Sequence, residues 1–175
     1  MKRGIGVAAS LLLGSLACGG GPAGTGQDAG LGGSARVVIN ELAGTGGDFV
    51  ELFNPGDSPF DLTGHGITDA ETDGGIRFLT ALRFTSGAQV PARGYFTASL
   101  EVDCPATVTP CVRGEFGLSQ ANGDLVTVLD ANNATVAQVA YPPNGAAAGS
   151  SWARKTDGAD TFEVQRRSPG ATNAP

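Results

Sequence analysis

The sequence predicts an all-β protein built as an antiparallel β-sandwich, and three observations lead to that prediction. Short stretches alternate apolar and polar side chains with a period of two. Between them lie turn-forming runs that draw on 28 glycines and 10 prolines, and no window after residue 17 keeps an apolar period near 3.6. Roughly seven to nine short strands without crossover helices are typical of two packed antiparallel sheets.

The predicted strands follow one another along most of the chain. They lie at 36–42, 48–54, 76–84, 94–100, 124–130, 135–141, 152–155 and 161–166. In the third, IRFLTALRF, the alternation places the apolar residues, Phe78 among them, on one face and two arginines on the other. The runs NPGD, ANGD and DANNA separate strands, because Gly and Asn accept positive φ and Pro presets φ for a turn. A chain of 175 residues has room for one such domain.

Residues 1–17 indicate an export signal. Lys2 and Arg3 precede an apolar run that is too short and too rich in small residues to span a membrane. The run ends in GSLAC, which resembles the lipobox of bacterial lipoproteins, in which a signal peptidase cuts before the cysteine, here Cys18, and the thiol carries a diacylglyceryl group. The Gly-rich stretch 18–35 then predicts a flexible tether of about 20–25 Å. An ordinary signal followed by a chance cysteine is the alternative.

Charge and the residue after Cys18 bear on location and partners. Gly19, rather than Asp, predicts by analogy with Gram-negative lipoproteins an outer-membrane location, on either side of that membrane. The formal net charge of −6 becomes −8 once Lys2 and Arg3 are removed. Because an acidic domain is repelled by phosphates, we expect no nucleic-acid binding, and membrane contact through the lipid alone.

Cys104 and Cys111 remain as a pair when Cys18 is acylated. An even number of cysteines in an exported domain predicts a disulfide, here one that closes a short loop. Two free thiols or half of a metal site are the alternatives, but one histidine and no further cysteine remain to complete a zinc shell.

The acidic stretch 69–74 is the best candidate for a metal site. Asp69, Glu71 and Asp73, followed by Gly74, resemble the first half of a calcium loop, in which alternate oxygens converge on the ion. Thr80 stands at the twelfth position, where such loops carry a bidentate glutamate. We therefore predict a solvated hairpin tip and no cofactor, with calcium as the alternative.

Four motifs, in order, resemble those of the lamin tail domain, an immunoglobulin-like module of nuclear lamins and many bacterial exported proteins. Those of the first strands comprise Ile39, Asn40, Glu41, Glu51, Leu52, Asn54, Pro55, Asp61, Leu62, Gly64 and Asp69. VPARGYFTAS, LSQANGDLVTVLD and the closing SPGATN continue the likeness, which covers residues 36–173. His65 stands where the family usually has Trp, so the core is packed differently there.

The resemblance implies an immunoglobulin-like sandwich, which we place at residues 36–167, and no catalytic residues. The terminal SPGATNAP, residues 168–175, predicts an extended C-terminal tail. The resemblance also places Leu52 in the core, in agreement with the alternation of FVELF. Asn54 is expected to cap its own turn, and Glu51 and Asp61 to accept backbone N–H groups at strand ends.

The chemical alternatives are weaker. Glu41 and Glu51 on neighbouring strands could act as an acid and a base, but a chain this small leaves few residues to build a cleft. His65 has no nucleophile with motif support and is better explained as a half-buried replacement of an aromatic residue.

We therefore predict a non-catalytic interaction or structural module, lipid-anchored on the bacterial envelope, that binds a protein or glycan of the envelope or exterior. The alternative is a calcium-dependent binding or accessory domain of an exported hydrolase system.

Overall fold

The computed structural model describes residues 35–70, 75–78 and 80–174, which contain twelve β-strands and no helix. The strands are β1 (Val38–Ala43), β2 (Asp48–Phe53), β3 (Phe60–Asp61), β4 (Gly66–Thr68), β5 (Leu82–Arg83), β6 (Gln89–Val90), β7 (Tyr95–Leu100), β8 (Cys111–Gly114), β9 (Asp124–Leu129), β10 (Thr135–Tyr141), β11 (Ser150–Arg154) and β12 (Phe162–Arg166). Within these ranges no helix is long and apolar enough to cross a membrane.

The strands form two main sheets. The larger has the order β12-β11-β1-β2-β7-β8, the smaller has the order β10-β9-β4-β5, and β3 pairs with β6 in a separate ribbon. All pairs are antiparallel except β7 with β8, which run parallel. Apolar side chains from both main sheets make one core, for example Leu52 and Phe96 from the larger and Val126 from the smaller. The predicted all-β, immunoglobulin-like sandwich is confirmed.

Strand β2 shows how the alternation sets the register. Val50 and Leu52 point into the core and are fully buried, as predicted for Leu52. Phe49, Glu51 and Phe53 lie on the opposite face and are also buried. Because a strand with one solvated face would expose every second residue, the outer face of this sheet must be covered as well.

The turn after β2 is built by its own side chains. Asn54, for which we predicted a cap, accepts a hydrogen bond through Oδ1 from the Gly56 backbone N–H at 2.9 Å. Asp61 likewise accepts one from the Thr63 N–H at 2.8 Å. Gly64 has a φ of 76°, and an added Cβ would lie 3.1 Å from that of Ala131. Only glycine adopts this conformation at low cost, which explains its place in the motif.

The prediction of one continuous strand over residues 76–84 is wrong. Of the residues of this segment that the structure describes, only Leu82–Arg83 form a strand, Ile76 makes a single bridge to Ala70, and Phe78 is 44% exposed rather than inward. The strand is short because its neighbour in the sheet, β4, pairs with β5 through only two residues, Gly66 and Ile67. Alternation alone cannot make a strand where no neighbour supplies the hydrogen bonds.

The parallel strand β8 is reached through the loop 101–110. Cys104 and Cys111 form a disulfide across this loop, with their Cα atoms 5.9 Å apart, so the predicted bridge is confirmed. The bridge places Cys111 at the start of β8, opposite Thr97 of β7. The predicted signal, Cys18 and the tether up to residue 34 lie outside the described residues, and so do Glu71 and Asp73.

Candidate functional site

Glu41 and Glu51 face each other directly across β1 and β2 on the outer face of the larger sheet. The register of the pair shifts between Ile39 and Glu41, so Asn40 is the extra residue of a bulge. The bulge lets the Asn40 amide reach Glu51, donating from Nδ2 to Oε1 at 3.1 Å. The I-N-E motif therefore positions an amide and a carboxylate beside a second carboxylate.

The C-terminal strap, which we define as residues 168–173, covers both glutamates. Ser168 donates to Glu41 twice, from its backbone N–H to Oε1 at 2.9 Å and from Oγ to Oε2 at 3.1 Å. The Gly170 N–H donates to Glu51 Oε2 at 2.6 Å. Because Asn40 donates to Glu51 Oε1, each of the four carboxylate oxygens of the pair accepts a hydrogen bond. The segment that we predicted as an extended tail is thus packed against the sheet.

Asp157 extends the network beside the strap. It accepts hydrogen bonds through Oδ1 from Asn40 Nδ2 at 3.0 Å and from the Asn173 N–H at 3.1 Å. The hydroxyl of Tyr95 on β7 donates to its other oxygen. Asn173 also donates through Nδ2 to the Arg154 carbonyl at 2.8 Å. The strap is held at both ends, by Ser168 on Glu41 and by Asn173 on the β11 end.

Burial controls the protonation of the two glutamates. Desolvation raises the pKa of Glu51 to about 8, against the hydrogen bonds from Gly170 and Asn40 that lower it. The charges of Glu41 and Asp157 raise that pKa further. Desolvation also raises the pKa of Glu41. Glu51 is therefore mostly neutral at pH 7, because a carboxyl this far from water disfavours its charged form.

The geometry of the pair favours attachment over catalysis. Both side chains are fully buried, so no substrate can reach their oxygens while the strap is in place. A general acid must come within about 3 Å of the atom it protonates. Instead, the pair fixes the strap to the middle of the sheet.

The other predicted site residues lie apart from this network. His65 is half-buried, and its ring meets Phe60 edge to face at a centroid distance of 5.3 Å. Asp69 is buried, and its Oδ1 lies 3.7 Å from Arg77 Nε. No group of three or more His, Cys, Asp or Glu residues able to hold a metal occurs in the part of the chain that the structure describes. The calcium alternative stays a prediction, because two of its three carboxylates are outside that part.

Sequence reasoning missed Tyr95, Asp157, Ser168 and Asn173 as partners of the glutamates. One signal could have indicated them. The FVELF stretch has apolar residues on both faces, which is typical of a strand covered on both sides. The covering segment must then come from elsewhere in the chain.

A second surface lies at the β11–β12 end of the larger sheet. The β12 surface, defined by Trp152, Arg154, Phe162 and Val164, lies on the core-facing side of these two strands, because Trp152 pairs with Leu42. The rings of Trp152 and Phe162 stack at 6.0 Å, and Arg154 Cζ lies 4.7 Å from the Phe162 centroid. The smaller sheet reaches only as far as β10, which packs over β1. Val164 is consequently 56% exposed.

Comparison with known proteins agrees with the fold. A model of the Lamin Tail Domain family matches residues 32–143, which is more than half of the chain. No curated protein matches the chain significantly. The matched region runs from β1 to β10 and contains Asn40, Glu41 and Glu51, whereas β11, β12 and the strap follow it. The Lamin Tail Domain family is a family of non-catalytic, immunoglobulin-like domains. The chain belongs to the lamin tail domain family.

Proposed function

We propose that the chain is a non-catalytic interaction module displayed on the bacterial envelope, with a lipid on Cys18 as its anchor and residues 18–35 as its tether. The observation that supports a non-catalytic role is that the strap covers the glutamate pair. Glu41 and Glu51 are the two residues best suited to acid–base work, and the strap occupies them. The β12 surface, by contrast, is partly exposed and offers aromatic and apolar groups of the kind that interfaces use.

The anchor is supported by the order of segments along the sequence. A short apolar run with Lys2 and Arg3 before it ends at Cys18, and the Gly-rich tether separates Cys18 from β1. A tether of about 20–25 Å would hold the domain clear of lipid headgroups and leave it free to reorient.

Detergent partitioning tests the anchor. The full chain should enter the detergent phase, and Cys18→Ala should move it to the aqueous phase because no acyl chain can be attached. Thr25→Ala, a change in the tether that leaves the thiol intact, is the matched control and should partition like the parent. Recovery of the parent protein in the aqueous phase would end the lipoprotein proposal.

Membrane fractionation tests the location. The parent should be found with the outer membrane, and Gly19→Asp should shift it to the inner membrane if the residue after Cys18 directs sorting. Identical fractionation of the two proteins would leave Gly19 without a role in sorting.

Capture from an envelope extract tests the interaction. The Cys18→Ala protein carries a formal net charge of −6, so we expect a neutral or basic partner. Binding should weaken with salt, since charges are screened over about 8–10 Å near physiological ionic strength. Glu41→Gln should abolish no reaction. A substrate turnover that this variant removes without unfolding the domain would contradict the proposal.

The calcium-dependent alternative is separated by a melting experiment. Addition of calcium or of a chelator should leave the melting temperature unchanged if residues 69–74 form a solvated tip. The bridge between Ala70 and Ile76 closes such a tip, and Asp69 already lies beside Arg77. A rise of the melting temperature with calcium would favour the alternative.

A further inference from the structure

The outer edge of β12 carries backbone groups that point away from its own sheet. Lys155 N–H donates to the Thr161 carbonyl at 2.8 Å, and the Arg167 N–H to the Gly149 carbonyl. In an antiparallel ladder, hydrogen-bonded pairs alternate with pairs that are not bonded. The odd-numbered residues of β12 therefore bond to β11. The N–H and C=O groups of Phe162, Val164 and Arg166 point outward.

The other sheet edges are less suited to pairing. On β10 the register shifts between Thr135 and Ala137, so a bulge interrupts the ladder beside Val136. At the far edge of the larger sheet, Arg113 of β8 forms ion pairs with Asp103 and Glu115. β5 has only two residues. Among the strands that the structure describes, β12 is the regular edge with neither a bulge nor an ion-pair cluster, and bulges and charges are the usual protection against pairing.

When the β12 strands of two copies are paired antiparallel about Val164, complementary side chains lie opposite each other. Val164 then faces Val164 of the second copy, and Phe162 faces Arg166 of the second copy. Both are pairs of outward-pointing residues, so about six backbone hydrogen bonds would form. Arg166 would meet an aromatic ring much as Arg154 already meets Phe162. On the other face Glu163 is opposite Gln165, so no like charges face each other directly.

Charge also permits two copies to approach at this edge. The chain has a formal net charge of −6, which would keep identical copies apart. Residues 155–168 form a locally neutral segment, in which three cations balance three anions: Lys155, Arg166 and Arg167 against Asp157, Asp160 and Glu163. The β12 surface lies on this neutral edge, and among the residues that the structure describes Val164 is the most exposed large hydrophobic side chain.

We propose that two copies of this chain associate edge to edge through β12, antiparallel about a two-fold axis at Val164, so that the two larger sheets continue as one. This partner goes beyond the proposed function and does not depend on the lipid. If both copies are tethered to one membrane, the tether raises their local concentration and so favours the pair.

Charge-pair variants in solution test the proposal. The experiment uses the full chain with Cys18→Ala, so its failure would leave the anchor proposal untouched, and failure of the anchor would leave this one untouched. Sedimentation should show a concentration-dependent dimer. Val164→Lys and Val164→Glu should each weaken it roughly tenfold or more, because each places like charges opposite one another at the axis. An equimolar mixture of the two variants should recover the dimer.

Val136→Lys is the matched control, since Val136 is also exposed, at 40%, but on β10. It should associate like the parent. A parent that is monomeric up to its solubility limit, a dimer untouched by Val164→Lys, or a mixture that stays monomeric would each overturn the proposal.

Cross-linking gives a readout that does not depend on weakening the pair. Val164→Cys should form a disulfide-linked dimer under mild oxidation, because hydrogen-bonded cross-strand Cα atoms lie about 5.5 Å apart. Phe162→Cys should not, because its copies would be about 14 Å apart along the strands. Equal cross-linking of the two variants would refute the register.

Discussion

Glu51→Gln should make the protein more stable at alkaline pH than the parent, although it alters a buried residue of the family motif. The parent carboxyl is buried and has a pKa of about 8 in the folded protein, against 4.5 for the ordinary group. Between these two values the folded state binds more protons than the unfolded state. The stabilisation from the neutral carboxyl is therefore complete below about pH 4.5 and is lost as the pH rises through 8.

The size of the effect follows from the width of that window. Each pH unit corresponds to about 1.36 kcal/mol, so between pH 5 and pH 8 the parent should lose about 4 kcal/mol of unfolding free energy through Glu51 alone. The Gln side chain keeps the shape of the Glu side chain but cannot ionise. Its carbonyl oxygen can still accept from Gly170 or Asn40, the two donors to Glu51.

Urea unfolding from about pH 5 to pH 9 measures the difference. The curve of free energy against pH should fall for the parent and be flatter for Glu51→Gln, with the two proteins diverging from about pH 5 to about pH 8. Glu115→Gln is the surface control, because that side chain is 79% exposed, and it should follow the parent. Parallel curves for parent and Glu51→Gln would show that Glu51 is ionised in the folded protein, and would refute the account of the site.

Three further predictions concern stability. Leu52→Ala should cost about 2–5 kcal/mol in chemical denaturation, the range for a fully buried leucine; a loss under about 0.5 kcal/mol would contradict the register of β2. Reduction of Cys104–Cys111 should add two hydrogens to the mass and lower the unfolding free energy by about 2.5 kcal/mol, from the loop that the bridge closes. Tyr95→Phe should cost about 1.5–3 kcal/mol, because it removes a hydrogen bond to Asp157; an unchanged denaturation midpoint would mean that this bond contributes nothing.

Local patterns in the sequence were sufficient where a strand has long neighbours. Strands β1, β2, β7, β9 and β10 lie within a residue or two of their predicted bounds, because each alternates over five or more residues. Short strands such as β3 and β6 were missed, since two residues cannot show a period. The prediction that Phe78 points inward was wrong for a related reason. The alternation around Phe78 is typical of a strand, but no neighbouring strand in the described part of the chain pairs with Phe78.

The strap could not be recognised from the pattern of its own residues. SPGATNAP has the composition of a loose end, and its position depends on Glu41, which is 127 residues from Ser168 in sequence. The family likeness included this closing motif but did not say where it binds. The alternation of β2 does predict that both faces of this strand are covered.

The pairing of β1 with β11 constrains when this domain can fold. Strand β1 is among the first segments of the domain to be synthesised, yet one of its two neighbours in the sheet, β11, comes near the end. Contacts between residues so far apart in sequence form slowly, because the conformational entropy of the intervening chain is lost before the contact contributes favourable free energy. A chain that ended at residue 143, where the family match ends, would leave one edge of β1 open and two glutamates uncovered. The domain therefore completes its larger sheet only after its last two strands have been made, and a truncated product should be aggregation-prone rather than partly functional.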